Sequence, residues 1–191
     1  AFKLGWFEVQ DGGSQLIAEM LRVESGQRVV DACAGAGGKS LHLAAMLNNK
    51  GSVLAMDVEE WKLNELKKRA KRNGAHNIET RLIESSKTIK RLKGKADRLL
   101  LDVPCTGLGV IKRNPDTKWK LSSESLEETR ELQARLIREY SEMLKPGGLM
   151  VYATCSILPS ENEEQVAKFV AEKDGTFELL EEKTQSPSEF T

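Results

Sequence analysis

Histidine and cysteine are scarce in this chain. It holds two histidines, His42 and His76, and three cysteines, Cys33, Cys105 and Cys155, in 191 residues. The cysteines are odd in number, far apart and without a Cys-x-x-Cys pair, so neither a disulfide framework nor a zinc cluster fits. No metal site is expected, and a reducing cytoplasm is the economical location. His42 and His76 read as ordinary surface or helix residues. Net charge is also lacking: 29 basic residues balance 29 acidic ones. That removes a global basic field announcing nucleic acid and leaves only a local patch to meet one. No apolar run approaches membrane-spanning length and no signal peptide is visible, so no membrane partner is expected. With no repeat, no low-complexity segment and no compositional break, residues 1–191 read as one domain with a sizeable core, and as a monomer. The chain starts at Ala1 rather than Met, and residues 11–21 already read like the interior of a protein. A piece of something longer is the expectation.

What is present is organised around the stretch Leu99-Leu-Leu-Asp-Val-Pro-Cys-Thr-Gly107. Three consecutive leucines after Ala96-Asp97-Arg98 predict a short strand buried on both faces. Pro104 pushes Val103 to an extended conformation and cannot donate a ladder hydrogen bond, so the strand ends near Asp102. Asp102 and Cys105 then project from the carboxyl end of a parallel strand, where open α/β sheets place their ligands. Cys155 closes the apolar run Leu149–Thr154 in the same way.

Around this stretch, strands and helices alternate. Helices are predicted over Gln15–Val23 (capped by Gly13 or Ser14), Lys39–Leu47 and Glu59–Arg72. A short helix follows the third strand. A long helix opens at the box Ser125-x-x-Glu128, carries a stripe from Leu126 to Leu144 and stops at Lys145-Pro-Gly-Gly148. A last helix runs from the box Ser160-x-x-Glu163 to about Glu172. Strands are predicted over Gln27–Asp31, Ser52–Met56, Ile78–Ile83, Asp97–Asp102 and Leu149–Thr154, with a weak one over Thr176–Leu180. From Glu181, past Pro187, the chain reads as a loop. The alternation means an α/β fold, a doubly wound, mainly parallel sheet with right-handed crossovers.

The turn Ala32-Cys-Ala-Gly-Ala-Gly-Gly38 joins the first strand to the first helix, where backbone comes close to a ligand. Three nucleotide readings compete. Gly38-Lys39-Ser40 supplies the end of a P-loop, but its leading glycine position is Cys33. A dinucleotide fingerprint fails because the third glycine follows the second at once. An adenosyl ligand without pyrophosphate, typically S-adenosylmethionine, fits a loose glycine turn with an acidic residue closing strand two. Asp57 is placed to accept both ribose hydroxyls, and Glu84, closing strand three, to take the adenine amino group. Taken alone, the glycine turn is equally a tight left-handed turn of any α/β protein.

A free cysteine is usually a buried small hydrophobe, and Cys33 reads so, shaping the turn by its backbone. Cys105 and Cys155 both start loops on the same sheet edge, so neighbouring strands put two sulfurs in one pocket. A redox pair lacks the Cys-x-x-Cys signature, whereas nucleophilic catalysis fits. Carbon 5 of a pyrimidine accepts a methyl group only after a thiolate adds at carbon 6. An acid near ring N3 stabilises that adduct, and a base then removes the carbon 5 proton.

At these residues the sequence resembles the Sun-type family of RNA 5-cytosine methyltransferases, from Phe7-Glu-Val-Gln-Asp11 to about Phe169. The matching motifs are Asp31-Ala-Cys-Ala-Gly-Ala-Gly-Gly-Lys39, Asp57, Asp102-Val-Pro-Cys-Thr-Gly107, and Ala153-Thr-Cys-Ser156 with Pro159-x-Glu161-Asn162. The resemblance implies a Rossmann-like, S-adenosylmethionine-dependent methyltransferase domain acting on ribosomal RNA before transfer RNA. It implies Cys155 as the nucleophile at carbon 6, Cys105 assisting product release, Asp102 at N3 and Lys39 reaching the target base. Cys33, Ala34, Gly35, Ala36, Gly37, Gly38, Lys39, Asp57, Glu84 and Asp102 are implied to line the cofactor site. Departures are Ala36 for the usual proline, Glu84 for the commoner Asp, and the lack of both the closing aromatic-rich strand and an upstream RNA-binding domain. The sheet is therefore expected to lack its last edge strand.

The segment 108–121 holds Lys112, Arg113, Lys118, Lys120 and Trp119 against one acid, Asp116. It suits phosphate contact and base stacking, or else a solvated loop whose Trp anchors it to the core. Lys67-Lys-Arg69 and Lys71-Arg72 read as the exposed side of a helix. An amino-group methyltransferase, a P-loop nucleotide hydrolase and a non-catalytic RNA-binding module remain as rival readings.

Overall fold

The computed structural model describes residues 1–185. Five strands, β1 (Arg28–Asp31), β2 (Ser52–Asp57), β3 (Ile78–Leu82), β4 (Ala96–Asp102) and β5 (Leu144–Ala153), form one sheet in the order β3-β2-β1-β4-β5. β1 pairs in parallel with β2 and β4, and β2 with β3. Lys95 N–H donates to Met143 O (2.9 Å) at one end of the β4–β5 ladder and Val103 N–H to Ala153 O (3.0 Å) at the other, so β5 is parallel too. Leu99, Leu100 and Leu101 are completely buried, as a central strand covered on both faces requires. The expected doubly wound α/β sheet is present.

Seven helices accompany it among the described residues: α1 (Gly12–Met20), α2 (Gly38–Met46), α3 (Glu60–Asn73), α4 (Ser86–Lys90), α5 (Thr117–Lys120), α6 (Ser123–Tyr140) and α7 (Glu163–Glu172). α2 and α3 pack on β1, β2 and β3. α3 does so through Leu63, Leu66 and Ala70, buried at helical spacing. The chain divides into two compact units, Ala1–Asp102 with Tyr140–Val151, and Val103–Glu139 with the residues from Tyr152 on.

Several element ends differ from the sequence expectation. Asp11, not Gly13 or Ser14, caps α1, its carboxylate accepting from Ser14 N–H at 3.3 Å. The box on α6 lies one turn earlier: Ser125 N–H donates to Ser122 Oγ (3.1 Å) and Ser122 N–H to Ser125 Oγ (2.9 Å). That helix stops at Tyr140 because Met143 already meets β4, so β5 starts at Leu144 and contains Lys145-Pro-Gly-Gly148, Gly147 having φ +73°. Ser160 caps nothing, since Pro159–Glu161 is a 3-10 turn and α7 starts after Asn162. Thr176–Leu180 is not a strand, and Phe177 meets Phe169 edge-on at 4.9 Å. Pro187 lies outside the described residues.

Candidate active site

The strand order reverses between β1 and β4, and at their carboxyl ends lie the glycine turn and Asp102. In the turn, Gly35 (φ +53°) and Gly37 (φ +87°) take left-handed backbone. Gly37 is also required by packing, because a Cβ there would stand 2.3 Å from Leu66 Cγ. Gly35 and Gly38 face open space. Gly35 N–H donates to Asp57 Oδ2 and Glu59 N–H to Asp57 Oδ1, both at 2.9 Å. The Asp57 carboxylate therefore fixes the turn, each oxygen keeping a second lone pair for a ligand. Ala36, standing where the resemblance expects proline, is held by Arg69, whose Nη1 donates to its carbonyl at 2.7 Å. Lys39 Nζ meets Asp102 Oδ2 at 2.5 Å, both side chains partly buried, so these two predicted residues share one place. Glu84 lies exposed just beyond the end of β3.

Burial, then the carboxylates of Asp31, Asp102 and Asp57, push the Cys33 thiol far above its ordinary range. Burial pushes the Asp31 carboxyl up to about 6, although Ser40 Oγ donates to it at 2.6 Å, and the Asp102 carboxylate pushes the same way. Of the carboxylates near the glycine turn, Asp102 is paired with Lys39 and Asp31 is buried against Ser40, so Asp57 is the one left at the turn to accept from a ligand. The P-loop reading fails on Cys33, which stands where its leading glycine belongs.

The thiols belong to the second unit. Cys105 follows Pro104 and Cys155 follows Thr154, and their sulfurs stand 3.2 Å apart. Cys155 N–H also points at Cys105 Sγ (3.4 Å). Gly109 N–H donates to Cys155 O at 2.8 Å, an approach only glycine permits, since a Cβ would come within 2.7 Å of that oxygen. The hydrogen bond with Cys155, then burial, pushes the Cys105 thiol strongly up. Cys155 is exposed and Cys105 half-buried.

Some contributors escaped the sequence reading. Arg69 and Arg72 are not solvated: both pair with Glu8, Arg69 at 3.0 Å, and Asn73 Nδ2 donates to the same carboxylate at 2.9 Å. Burial would raise the Glu8 carboxyl, but bonds from Asn73, Arg72 and Arg69 hold it below its usual range. Lys67, Lys68 and Lys71 are exposed as expected. Thr106 and Ser156, each following a cysteine, both bond Glu161. Glu161 lies in a quoted motif, but its burial could not be read from spacing. Trp119 is 80% exposed, with Lys118 Nζ 4.8 Å from its ring centre, so it does not anchor its loop to the core. Among the described residues no group of three or more acidic, histidine or cysteine side chains is set to hold a metal, and no helix is long and apolar enough to cross a membrane.

A model of the 16S rRNA methyltransferase RsmB/F family matches residues 18–191. The chain is 38% identical over 187 residues to the ribosomal RNA small subunit methyltransferase B of Yersinia enterocolitica, covering 97% of this chain and 43% of that protein. It is 37% identical to the probable ribosomal RNA small subunit methyltransferase B of Bacillus subtilis, covering 90% of this chain and 38% of that protein. The chain thus spans about two fifths of the length of these curated relatives. Among solved structures, NSun6 from Pyrococcus horikoshii with SFG, an S-adenosylmethionine analogue, superposes with a TM-score of 0.82 at 32% identity, over 90% of this chain and 44% of that one. The sheet order, the glycine turn, the paired thiols and the match over residues 18–191 agree: the chain belongs to the 16S rRNA methyltransferase RsmB/F family.

Proposed function

We propose that the chain is a single catalytic domain transferring a methyl group from S-adenosylmethionine to carbon 5 of cytosine in RNA. Small-subunit ribosomal RNA, in the cytoplasm, is the substrate. The observation that carries this is the pair of sulfurs 3.2 Å apart, Cys155 exposed and Cys105 half-buried. The substrate class rests on the names of the relatives. The cofactor fits the turn: open backbone at Gly35 and Gly38, and the second lone pairs of the Asp57 carboxylate. Cys33 to Lys39, Asp57, Glu84 and Asp102 would hold it, and it would supply a methyl group activated on a sulfonium, whose S–CH3 bond breaks to leave the neutral thioether S-adenosylhomocysteine.

Cys155, the accessible thiol, adds as thiolate to carbon 6 of the ring, and the electron pair of the ring's double bond moves toward carbon 5, which takes the methyl group. Asp102 hydrogen-bonds the protonated N3, and Lys39 holds Asp102 and the base. Release needs the carbon 5 proton passed to a base, which re-forms the double bond and expels the Cys155 thiolate. Cys105, with its sulfur 3.2 Å from that of Cys155, is placed to assist this release. The segment 108–121 offers RNA a stacking surface in Trp119, flanked by exposed Lys112, Lys118 and Lys120.

The test is methyl transfer from labelled S-adenosylmethionine to unmodified small-subunit ribosomal RNA, with the product nucleosides separated after digestion. Label in 5-methylcytidine is expected. Label in an amino-methylated nucleoside overturns the reading.

A further inference from the structure

The carboxylate of Glu161 is completely buried, yet no cation among the described residues pairs with it. Four hydrogen-bond donors converge on it instead. Oε1 accepts from Thr106 N–H and from Gln133 Nε2, both at 2.9 Å. Oε2 accepts from Thr106 Oγ1 at 2.5 Å and from Ser156 Oγ. Gln133 reaches from α6 and also donates to Pro104 O at 2.9 Å, while Tyr152 OH donates to the Glu161 carbonyl at 2.8 Å. All these residues lie in the second unit.

The partners are not scattered. Pro104 and Thr106 flank Cys105, and Ser156 follows Cys155. A buried ionised group is costly, and an apolar residue of the same size would fill the space without that cost. A carboxylate that accepts four bonds, three of them from the neighbours of two thiols, does what an apolar residue cannot: it fixes both segments to one point. We propose that Glu161 is a positioning residue, whose buried carboxylate ties the Cys105 and Cys155 segments together and so sets the spacing of the two sulfurs. The inference rests on the proposed roles of the thiols for its catalytic consequence, but not for the spacing itself.

The charge state agrees with this role. Burial would raise the Glu161 carboxyl, but the bonds from Ser156, Thr106 and Gln133 outweigh it and hold the group below its usual range. At neutral pH it is an acceptor on both oxygens, as four donors require. In Glu161→Gln one oxygen becomes an amide donor. On the Oε2 side the two hydroxyls can rotate to accept from it, whereas on the Oε1 side it would confront two N–H groups. The amide therefore takes the hydroxyl side, and the clamp loses its charge-assisted bonds while the packing volume is kept.

The experiment uses the two sulfurs as their own ruler. Diamide, a diazene, takes two electrons and two protons from the thiol pair. It becomes the hydrazine as the Cys105–Cys155 disulfide forms, and peptide mass spectrometry follows that disulfide in time. The same samples are assayed for S-adenosylmethionine binding, for thermal melting and for the rate of covalent capture on 5-fluorocytosine RNA. In Glu161→Gln, disulfide formation and RNA capture are expected to slow together by about 10-fold or more, the effect of a misplacement near 1 Å. Cofactor affinity should stay within about twofold, and the melting transition should stay cooperative while falling by about 3–10 °C, as the loss of charge-assisted bonds implies. Thr106→Val combined with Ser156→Ala, which removes the Oε2 donors and leaves Glu161 in place, is expected to show the same paired slowing. It serves as the test if Glu161→Gln does not fold.

Parental rates of both disulfide formation and capture in these variants would overturn the proposal. So would slowing that only tracks a lost melting transition and lost cofactor binding. If the disulfide slows in the variants while the parent itself captures no RNA, the positioning role stands and the RNA reading fails.

Discussion

Exchanging Gly35, Gly37 and Gly38 for alanine, one at a time, separates backbone strain from collision within one turn. Gly35 sits at φ +53° with no atom near the place a Cβ would take, so alanine there meets only the left-handed penalty, about 1 kcal/mol. Gly37 sits at φ +87°, and its Cβ would stand 2.3 Å from Cγ of Leu66, which is completely buried. Strain and overpacking act together there, for about 2–5 kcal/mol. Gly38 opens α2 without a positive φ and with open space around it, so alanine should be neutral or stabilise by up to about 1 kcal/mol. Urea denaturation at fixed protein concentration reads all three. Domains of this size hold only about 5–15 kcal/mol, so the Gly37 variant should lose a visible share of its midpoint while its slope is kept. The reasoning is refuted if Gly37→Ala costs no more than Gly35→Ala, or if Gly38→Ala is the most damaging of the three.

Three further outcomes follow from the same geometry. Asp57→Asn leaves one acceptor where two backbone N–H groups converge, and should cost about 1–3 kcal/mol with weaker S-adenosylmethionine binding by calorimetry; unchanged binding would separate Asp57 from the cofactor. Asp31 has a folded pKa raised from 3.8 to about 6, so the folded state holds its proton longer than the unfolded chain. Stability therefore falls as pH rises through that window, by about 3 kcal/mol in all, and Asp31→Asn should gain on the parent over the same interval; parallel stability curves for the two proteins would contradict it. Trp119→Ala should weaken binding of single-stranded RNA by about 10-fold, as loss of one stacked base implies, with cofactor affinity kept; unaltered fluorescence anisotropy titrations would remove Trp119 from the RNA surface.

The strand core was legible because its signals are local and redundant. Leu99–Leu101 with Pro104 fix both the burial and the end of β4, and the motif around Gly37 marks the turn by residue type alone. What the sequence hid depends on partners distant in the chain. Ser125 looked like a cap, yet Ser122 shares that role, because two neighbouring hydroxyls satisfy each other's backbone. Thr176–Leu180 has strand-like residues but pairs with no strand among the described residues, and Phe177 packs on Phe169 instead. Arg69 reads as one basic residue among several, and only the fold brings Glu8 and the Ala36 carbonyl to it. The thiol pair was expected from two strand ends, but its spacing and the buried Glu161 beneath it are properties of tertiary packing.

The central claim is that Cys155 attacks the base while Cys105 serves release. RNA carrying 5-fluorocytosine tests it most directly, because fluorine at carbon 5 blocks the final proton removal and freezes the covalent adduct. With S-adenosylmethionine present, the protein should be trapped on this RNA as a slow-migrating band in a denaturing gel. Trapping should vanish in Cys155→Ala and persist in Cys105→Ala. Trapping that is lost in Cys105→Ala and kept in Cys155→Ala would contradict the account by exchanging the two roles. No adduct from the parent protein on small-subunit ribosomal RNA would remove carbon 5 chemistry on that substrate altogether.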